Sequence, residues 1–343
     1  MAHENYFEIE ANTYYELGLR EGELFGRFLR EAIAVHKTER SWKTALGRAR
    51  SHLGITQNSF PHLIEELQGY ADGAGVAFDD LWVLNLEDEL FGREVDKCTS
   101  IVTNNGRLIA HNEDWDAEAE NAICVLRKTL SHATTLELFY LNTLGGNAVS
   151  INSSGFVHAI NTLAHTDEQV GVPRNVIARW FSETSDPESD FQEMCRLRRS
   201  AGYHHMLASL DGRIWSIECS AKKQQLSRPN APFVHTNHFL TELAYLEDDD
   251  KGSGTLIRYG CASSRVKRSM SVNMLKGLMS DASGTRPNGI FNEKTIARMI
   301  IDFKKMMAHI WLLREEEKGW LAYDIDFVRG IEKRRLRPCR MIK

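Results

Sequence analysis

The amino-acid sequence predicts an α+β layered fold, and three observations carry that expectation. The first 97 residues read as helices, the stretch after Cys98 changes to short β-branched or alternating runs, and helical spacing returns further on. Tight turns at Asn104-Asn105-Gly106, Ser153-Ser154-Gly155 and Asp211-Gly212 join several of those runs. Connections that short favour antiparallel hairpins over helical crossovers, so helices and sheets should segregate into layers.

The helical block opens at 10–50, where Tyr14, Leu17, Leu24, Phe25, Phe28 and Leu29 recur at three and four residues. Gly18, Gly22 and Gly26 interrupt this stretch at a cost of roughly 1 kcal/mol each, which predicts that another backbone packs closely against them. A second helix covers 61–71 and stops at Gly73 and Gly75, and a third covers 79–91. Strands are expected at 99–103, 107–111, 136–141, 148–152, 156–162, 203–207 and 213–218. Helices return at 175–182, 188–199, 264–279 and 292–308, with an exposed loop at 247–254 and a solvated basic tail at 334–343.

The length of 343 residues allows two domains or one large one, and no repeat or linker divides the chain. Hydrophobic residues at 42% and charged residues at 26% exclude a disordered polymer. Forty-two Lys and Arg against 47 Asp and Glu leave a net charge of −5, with no global basic field for nucleic acid. No run approaches the roughly 18 apolar residues of a membrane span, and the polar N-terminus is unlike a signal peptide. A cytoplasmic protein with small-molecule partners is the expectation. Six widely spaced cysteines without a CxxC fit neither a disulfide framework nor a zinc ribbon, so reduced thiols are expected.

One thiol stands out because Cys98 lies at the switch from helix to strand, sixteen residues before Asp114. The Asn104-Asn105-Gly106 turn folds the two segments side by side, which brings a carboxylate toward a thiol. The alternatives are a packing cysteine, a turn-capping Asp114 and a core Trp115, and Asp116 rivals Asp114 because the turn length is open. Further on, His235-Thr236-Asn237-His238 concentrates polar groups after an apolar pair, and Ser263-Ser264-Arg265 is read as a helix start. An arginine there opposes the macrodipole, which a carboxylate or substrate partner would explain, with solvent exposure as the alternative. A metal hydrolase is a second reading, with His235 and His238 three apart and His111, Asp114, His204 and His205 as further ligands.

The order and spacing of several segments resemble the autoproteolytic acyltransferases typified by acyl-coenzyme A:6-aminopenicillanic acid acyltransferase, a branch of the N-terminal nucleophile hydrolases. These segments are 65–76 (EELQGYADGAGV), 80–81, 85–89, Cys98-Thr99-Ser100, Asn112-Glu113-Asp114-Trp115, 152–155, 173–179, Thr236-Asn237-His238-Phe239 and Ser263-Ser264-Arg265. Bile-salt hydrolases and penicillin V acylases are more distant in likeness. The resemblance implies a four-layer αββα sandwich in which Cys98 becomes a new N-terminus once the Lys97-Cys98 bond breaks. Residues 1–97 and 98–343 would then be the two fragments of one intertwined unit.

By the same resemblance Cys98 cleaves or transfers an acyl group at a linear amide through a thioester, with the freed α-amine as base. Asp114 would orient that amine, Arg265 would brace Asp114 and favour the thiolate, and Asn237 with Asn152 would donate to the oxyanion. His111, Trp115 and Ser264 are the expected substrate-binding positions. The substrate would be a small-molecule amide or acyl donor, with no metal and no cofactor beyond an acyl-coenzyme A co-substrate. Two positions depart from the pattern: Lys97 stands where Gly is common, and His111 where bile-salt relatives carry Arg. An uncut, catalytically silent binding protein of the same fold is the third reading.

Overall fold

The computed structural model describes residues 2–39, 41–92, 98–247, 253–283 and 289–328. A short strand β1 (Tyr6–Glu10) is followed by helices α1 (Tyr14–Glu39), α2 (Trp42–Ser59), α3 (Pro61–Ala74), α4 (Phe78–Leu84) and α5 (Glu87–Phe91). The helical stretch expected at 10–50 is α1 and the first half of α2, with β1 ending where it was expected to begin. The glycines of α1 do admit another backbone: a methyl added to Gly18 would lie 1.8 Å from the Glu66 carbonyl oxygen of α3. On α3, Gly73 returns the approach, its added methyl falling 2.1 Å from the Leu19 oxygen. Only residues without a side chain let two helices cross at this separation.

Two sheets follow. The larger runs β1-β4-β5-β6-β7-β8-β9-β10, built from β4 (Ile123–Thr129), β5 (Thr134–Tyr140), β6 (Val149–Asn152), β7 (Phe156–Thr162), β8 (Tyr203–Ser209), β9 (Ile214–Cys219) and β10 (Gln224–Ser227). The smaller runs β11-β2-β3-β12-β13-β14, from β2 (Thr99–Thr103), β3 (Leu108–Asp114), β11 (Phe233–His235), β12 (Thr295–Asp302), β13 (Met307–Leu312) and β14 (Leu321–Asp324). Every pairing is antiparallel except β1 with β4. The turn between β2 and β3 holds Asn104, Asn105 and Gly106 at φ 53°, 54° and 80°, the left-handed backbone that Asn and Gly tolerate best.

Side-chain alternation along the strands creates the layers. Leu126, Phe139, Leu207 and Trp215 of the larger sheet pack on Leu17, Phe25, Leu63 and Leu67 of the helices, with α6 (Arg174–Ser182) and α7 (Pro187–Met194) adding Val176, Phe181 and Met194. Val102, Ile109, Met299 and Ile310 meet Val125, Leu138, Val157 and Met206 between the two sheets. Ile101, Ala110 and Ile300 face the other way, onto Ala262 of α8 (Ser253–Arg265) and Leu275 and Met279 of α9 (Val272–Met279). This is the αββα sandwich that the resemblance implied.

Three expected elements are corrected. The helix at 292–308 is β12 and the start of β13: all eight residues of β12 are buried, and burial on both faces erases the period-two signal. The helix at 264–279 is two helices, α8 ending at Arg265 and α9 starting at Val272 with Ser271 Oγ accepting from the Met274 N–H. The helix at 188–199 ends at Met194. No helix among the described residues is long and apolar enough to cross a membrane.

Candidate active site

Cys98 immediately precedes β2, and β2 pairs with β3 so that Thr99 faces Asn112 and Ser100 faces His111. The hairpin therefore sets Cys98 beside the end of β3, with Sγ 4.0 Å from the Asp114 carbonyl oxygen. Alternation then decides which side chain meets which. Val102 and Ile109 point between the sheets and Ile101 and Ala110 toward α8 and α9, so Cys98, His111 and Glu113 share the inter-sheet face and Asp114 the opposite one. The carboxylate on the thiol's face is that of Glu113; Asp114 projects to the face that α8 and α9 cover.

Asp114 is fully buried. Asn292 Nδ2 donates to its Oδ2 at 2.8 Å. Burial pushes its carboxyl up to about 6, against the opposing pull of the Arg258 charge and of hydrogen bonding by the Thr295 and Asn292 side chains. Arg258, from the middle of α8, reaches the same place: Nη1 donates to the Cys98 carbonyl oxygen at 2.8 Å and to Thr99 Oγ1 at 3.0 Å. Its Nη2 donates to Asn237 Oδ1 at 3.0 Å. Burial holds the Arg258 guanidinium below its ordinary value, opposed by the charges of Asp114 and Cys98.

Asn237 follows the edge strand β11, whose register of His235 against Ser100 carries it level with Cys98. Thr255 Oγ1 accepts its backbone N–H at 2.8 Å, and its Nδ2 donates to the Thr162 carbonyl at 3.2 Å. On the inter-sheet face Glu113 accepts the Tyr140 hydroxyl at 2.8 Å, and His111 lies between Glu113 (2.8 Å) and Ser100 Oγ (2.9 Å). Cys98, Glu113, Trp115, Tyr140, Asn175 and Tyr203 contribute to the wall of a cavity of about 100 Å³.

Other expected site residues lie elsewhere. Arg265 ends α8 rather than beginning a helix, is 49% exposed, and pairs with Asp281 and with Ser283 Oγ. A cation suits a helix C-terminus, so the macrodipole argument for a special partner falls away, and the position beside Cys98 belongs to Arg258 two turns earlier. Ser264 is exposed and donates to the Cys261 carbonyl. Asn152 Nδ2 donates to the carbonyls of Ser182 (3.0 Å) and Thr184 (2.9 Å), and its Oδ1 accepts from Ser154 and Phe156, so it closes the β6–β7 turn with no hydrogen left for an oxyanion. Asp116 sits at the surface against Lys294, 2.8 Å away. Lys97 lies outside the described residues.

Sequence reasoning also missed Asn161. Its Oδ1 accepts from Ser100 Oγ (3.0 Å) and contacts His204 Nδ1 (3.1 Å), while its Nδ2 is buried without a partner. Period-two counting along β7 from inward-facing Val157 and Ala159 puts it on the inter-sheet face, a signal that exists only once the sheets are paired. The metal set built on His235 and His238 does not converge. Those rings are 6.4 Å apart, with His235 engaged by Glu218 and the Thr236 carbonyl and His238 by Thr236 and Thr255. Among the described residues, three such donors do come together at Cys98, His111 and Glu113.

Residues 101–316 match the family described as acyl-coenzyme A:6-aminopenicillanic acid acyl-transferase, a span that holds His111, Glu113, Asp114, Asn237 and Arg258 and begins three residues after Cys98. A beta-alanyl-dopamine/carcinine hydrolase of Drosophila melanogaster is 28% identical over 210 residues, which are 52% of this chain and 54% of that one. The chain thus spans about half the length of this curated relative. Among solved structures, penicillin V acylase from Agrobacterium tumefaciens is 13% identical with a TM-score of 0.46, covering 68% of this chain and 89% of its own. A variant conjugated bile acid hydrolase from Clostridium perfringens is 14% identical with a TM-score of 0.42, covering 68% and 94%.

Proposed function

The chain belongs to the acyl-coenzyme A:6-aminopenicillanic acid acyl-transferase family, and from that premise we propose that it is a cysteine-dependent amidohydrolase or acyltransferase, cut before Cys98 by its own thiol. In maturation the Cys98 sulfur attacks the carbonyl carbon of Lys97 and the peptide bond becomes a thioester. Water hydrolyses it, returning the thiol and freeing an α-amine whose reference pKa is about 7.7–8.0. In catalysis that amine takes the thiol proton, the thiolate attacks a substrate amide, and the proton passes to the departing amine. Water or an acceptor amine then resolves the acyl-thioester.

The observation that carries this reading is the Arg258 bridge between the Cys98 carbonyl and Asn237 Oδ1. It fixes the main chain of the nucleophile and the orientation of Asn237 with one buried cation. Asn237 Nδ2 gives one hydrogen to Thr162 and has a second for the oxyanion; Asn161 Nδ2, buried and undonated, is the natural second donor. Each is worth about 3–4 kcal/mol to a tetrahedral transition state. Asp114, buried at the end of β3 within reach of the Arg258 charge, is the carboxylate that this reading assigns to a new α-ammonium.

The relative's name makes β-alanyl amides the first substrates to try, and the family's name makes acyl-coenzyme A a donor to test beside them. Fragments 1–97 and 98–343 stay together in this reading, because α1 to α5 cover the larger sheet. The five described cysteines are free, which accords with a cytoplasmic home.

Intact mass spectrometry with a burst assay tests the proposal. Purified protein should show both fragments and release one leaving group per cut site from an activated ester, while Cys98→Ala should stay whole and give no burst. A fully active uncut chain overturns self-processing; a burst from Cys98→Ala overturns the nucleophile.

A further inference from the structure

We propose that Cys98, His111 and Glu113 form a binding site for zinc or a similar divalent cation, and that the bound ion caps the nucleophile. One donor from each of these three buried side chains lies within 4.8 Å of the other two. Thiolate, imidazole and carboxylate are the ligands zinc takes, at about 2.0–2.3 Å, so three ligands of one ion stand roughly 3–4 Å apart. Side-chain adjustments of about an ångström close the set.

The hydrogen bonds around His111 leave a place for a cation. Ser100 Oγ has a single hydrogen and gives it to Asn161 Oδ1 at 3.0 Å. Its contact with His111 Nδ1 at 2.9 Å fixes the plane of the ring. The other ring nitrogen, Nε2, lies 2.8 Å from Glu113 Oε2, and that carboxylate already accepts the Tyr140 hydroxyl through its other oxygen. An imidazole nitrogen and a carboxylate oxygen at this distance share a positive centre, either a proton or a metal ion. A proton serves the pair alone, whereas a metal ion also recruits Cys98 Sγ.

Ser100 and Tyr140 supply the outer contacts that fix a ligating imidazole and carboxylate. Cys98 and Glu113 both reach the cavity, which provides an entry path and a fourth position for water. On binding, the thiol releases its proton, as does the His111–Glu113 pair if it holds one, and the sulfur lone pair enters the metal bond. Attack on an amide then stops. The site uses Cys98 as a ligand whether or not the thiol attacks substrates.

The test uses the full-length protein with zinc alone in equilibrium dialysis, iodoacetamide labelling of Cys98 followed by mass spectrometry, and cobalt(II) as a spectroscopic stand-in. One ion per chain should bind, slow Cys98 labelling at least about 10-fold, and give a thiolate-to-cobalt charge-transfer band. His111→Ala and Glu113→Gln should each weaken binding by about 10-fold or more, while His238→Ala leaves it unchanged. Unaltered labelling in zinc, a cobalt spectrum without the thiolate band, or undiminished binding by folded His111→Ala overturns the proposal. If His111→Ala does not fold, labelling and the cobalt spectrum of the unmodified protein decide. A full burst from an enzyme that zinc does not protect refutes this site alone.

Discussion

Of the buried arginines, Arg179 and Arg258 lie on opposite sides of the sandwich and are treated differently. Under the helices, Arg179 forks onto Glu66 through Nε (3.0 Å) and Nη2 (2.9 Å) and also meets Glu183 at 2.8 Å, beside a second pair of Lys128 with Glu137 at 2.6 Å. Burial opposes its charge, yet Glu183 and Glu66 lift Arg179 well above its ordinary value. Beside Cys98, Arg258 touches only neutral acceptors, and burial lowers it. A charge already matched by contact fastens two layers together; a charge matched only at a distance is still available to an anion formed during a reaction.

Arg179→Ala should break the first kind of site and make the largest change. Removing one partner of a buried pair costs about 3–5 kcal/mol, read as a lower urea midpoint, while the burst per folded chain survives. Loss of the burst without loss of stability would move Arg179 into the catalytic group.

Arg258→Met should do the reverse. The rate of the burst should fall by about 10²–10³-fold, equivalent to about 3–4 kcal/mol, with a modest change in stability and little rescue by Arg258→Lys, whose point charge cannot span the Cys98 carbonyl and Asn237. Arg265→Ala provides the contrast: its half-exposed pair with Asp281 should matter by less than about 1 kcal/mol in either assay. Equal losses from both would erase the distinction.

Asp114 sharpens the comparison through pH. Its carboxyl titrates at about 6 in the fold against 3.8 without it, so the folded chain holds an extra proton between those values. The stability it contributes is complete below pH 3.8 and is lost as pH rises through about 6. At pH 7 the ionised group costs on the order of 3 kcal/mol. In the uncut Cys98→Ala background, where no α-ammonium faces it, Asp114→Asn should therefore stabilise the fold at pH 7 and change little near pH 4, as denaturant titrations at both values will show. In the active enzyme the same substitution should lower turnover.

The layered order was legible because glycine spacing, tight turns and β-branched runs are local signals, and Gly18, Gly22 and the Asn104–Gly106 turn do what those signals say. β12 was not legible, since Ile296, Met299, Ile300 and Ile301 are buried on both faces and read equally well as a helix. The site divides in the same way. The hairpin put Cys98 beside the end of β3, but adjacent carboxylates at 113 and 114 point to opposite faces, and no spacing says which face holds the thiol until the second sheet is in place. Arg258 and Arg265 are seven residues apart on one helix, about 10 Å along its axis, so they share a side but not a level. Only the packing of α8 against β2 and β11 selects the nearer one.

The first strand has a kinetic consequence. β1 pairs with β4, and the Glu315 carboxylate accepts the N–H groups of Glu4 and Asn5, so residues at the head of the chain are stitched to segments more than a hundred positions later. While the chain is whole, those contacts re-form after denaturation as a first-order process, independent of protein concentration. Once the bond before Cys98 is cut as proposed, the same contacts join two molecules and renaturation becomes second order. Recovery of the cut enzyme from urea should then rise with concentration while that of Cys98→Ala does not. Maturation would thus trade a refoldable precursor for an enzyme that, once dispersed in dilute solution, cannot readily find its other half.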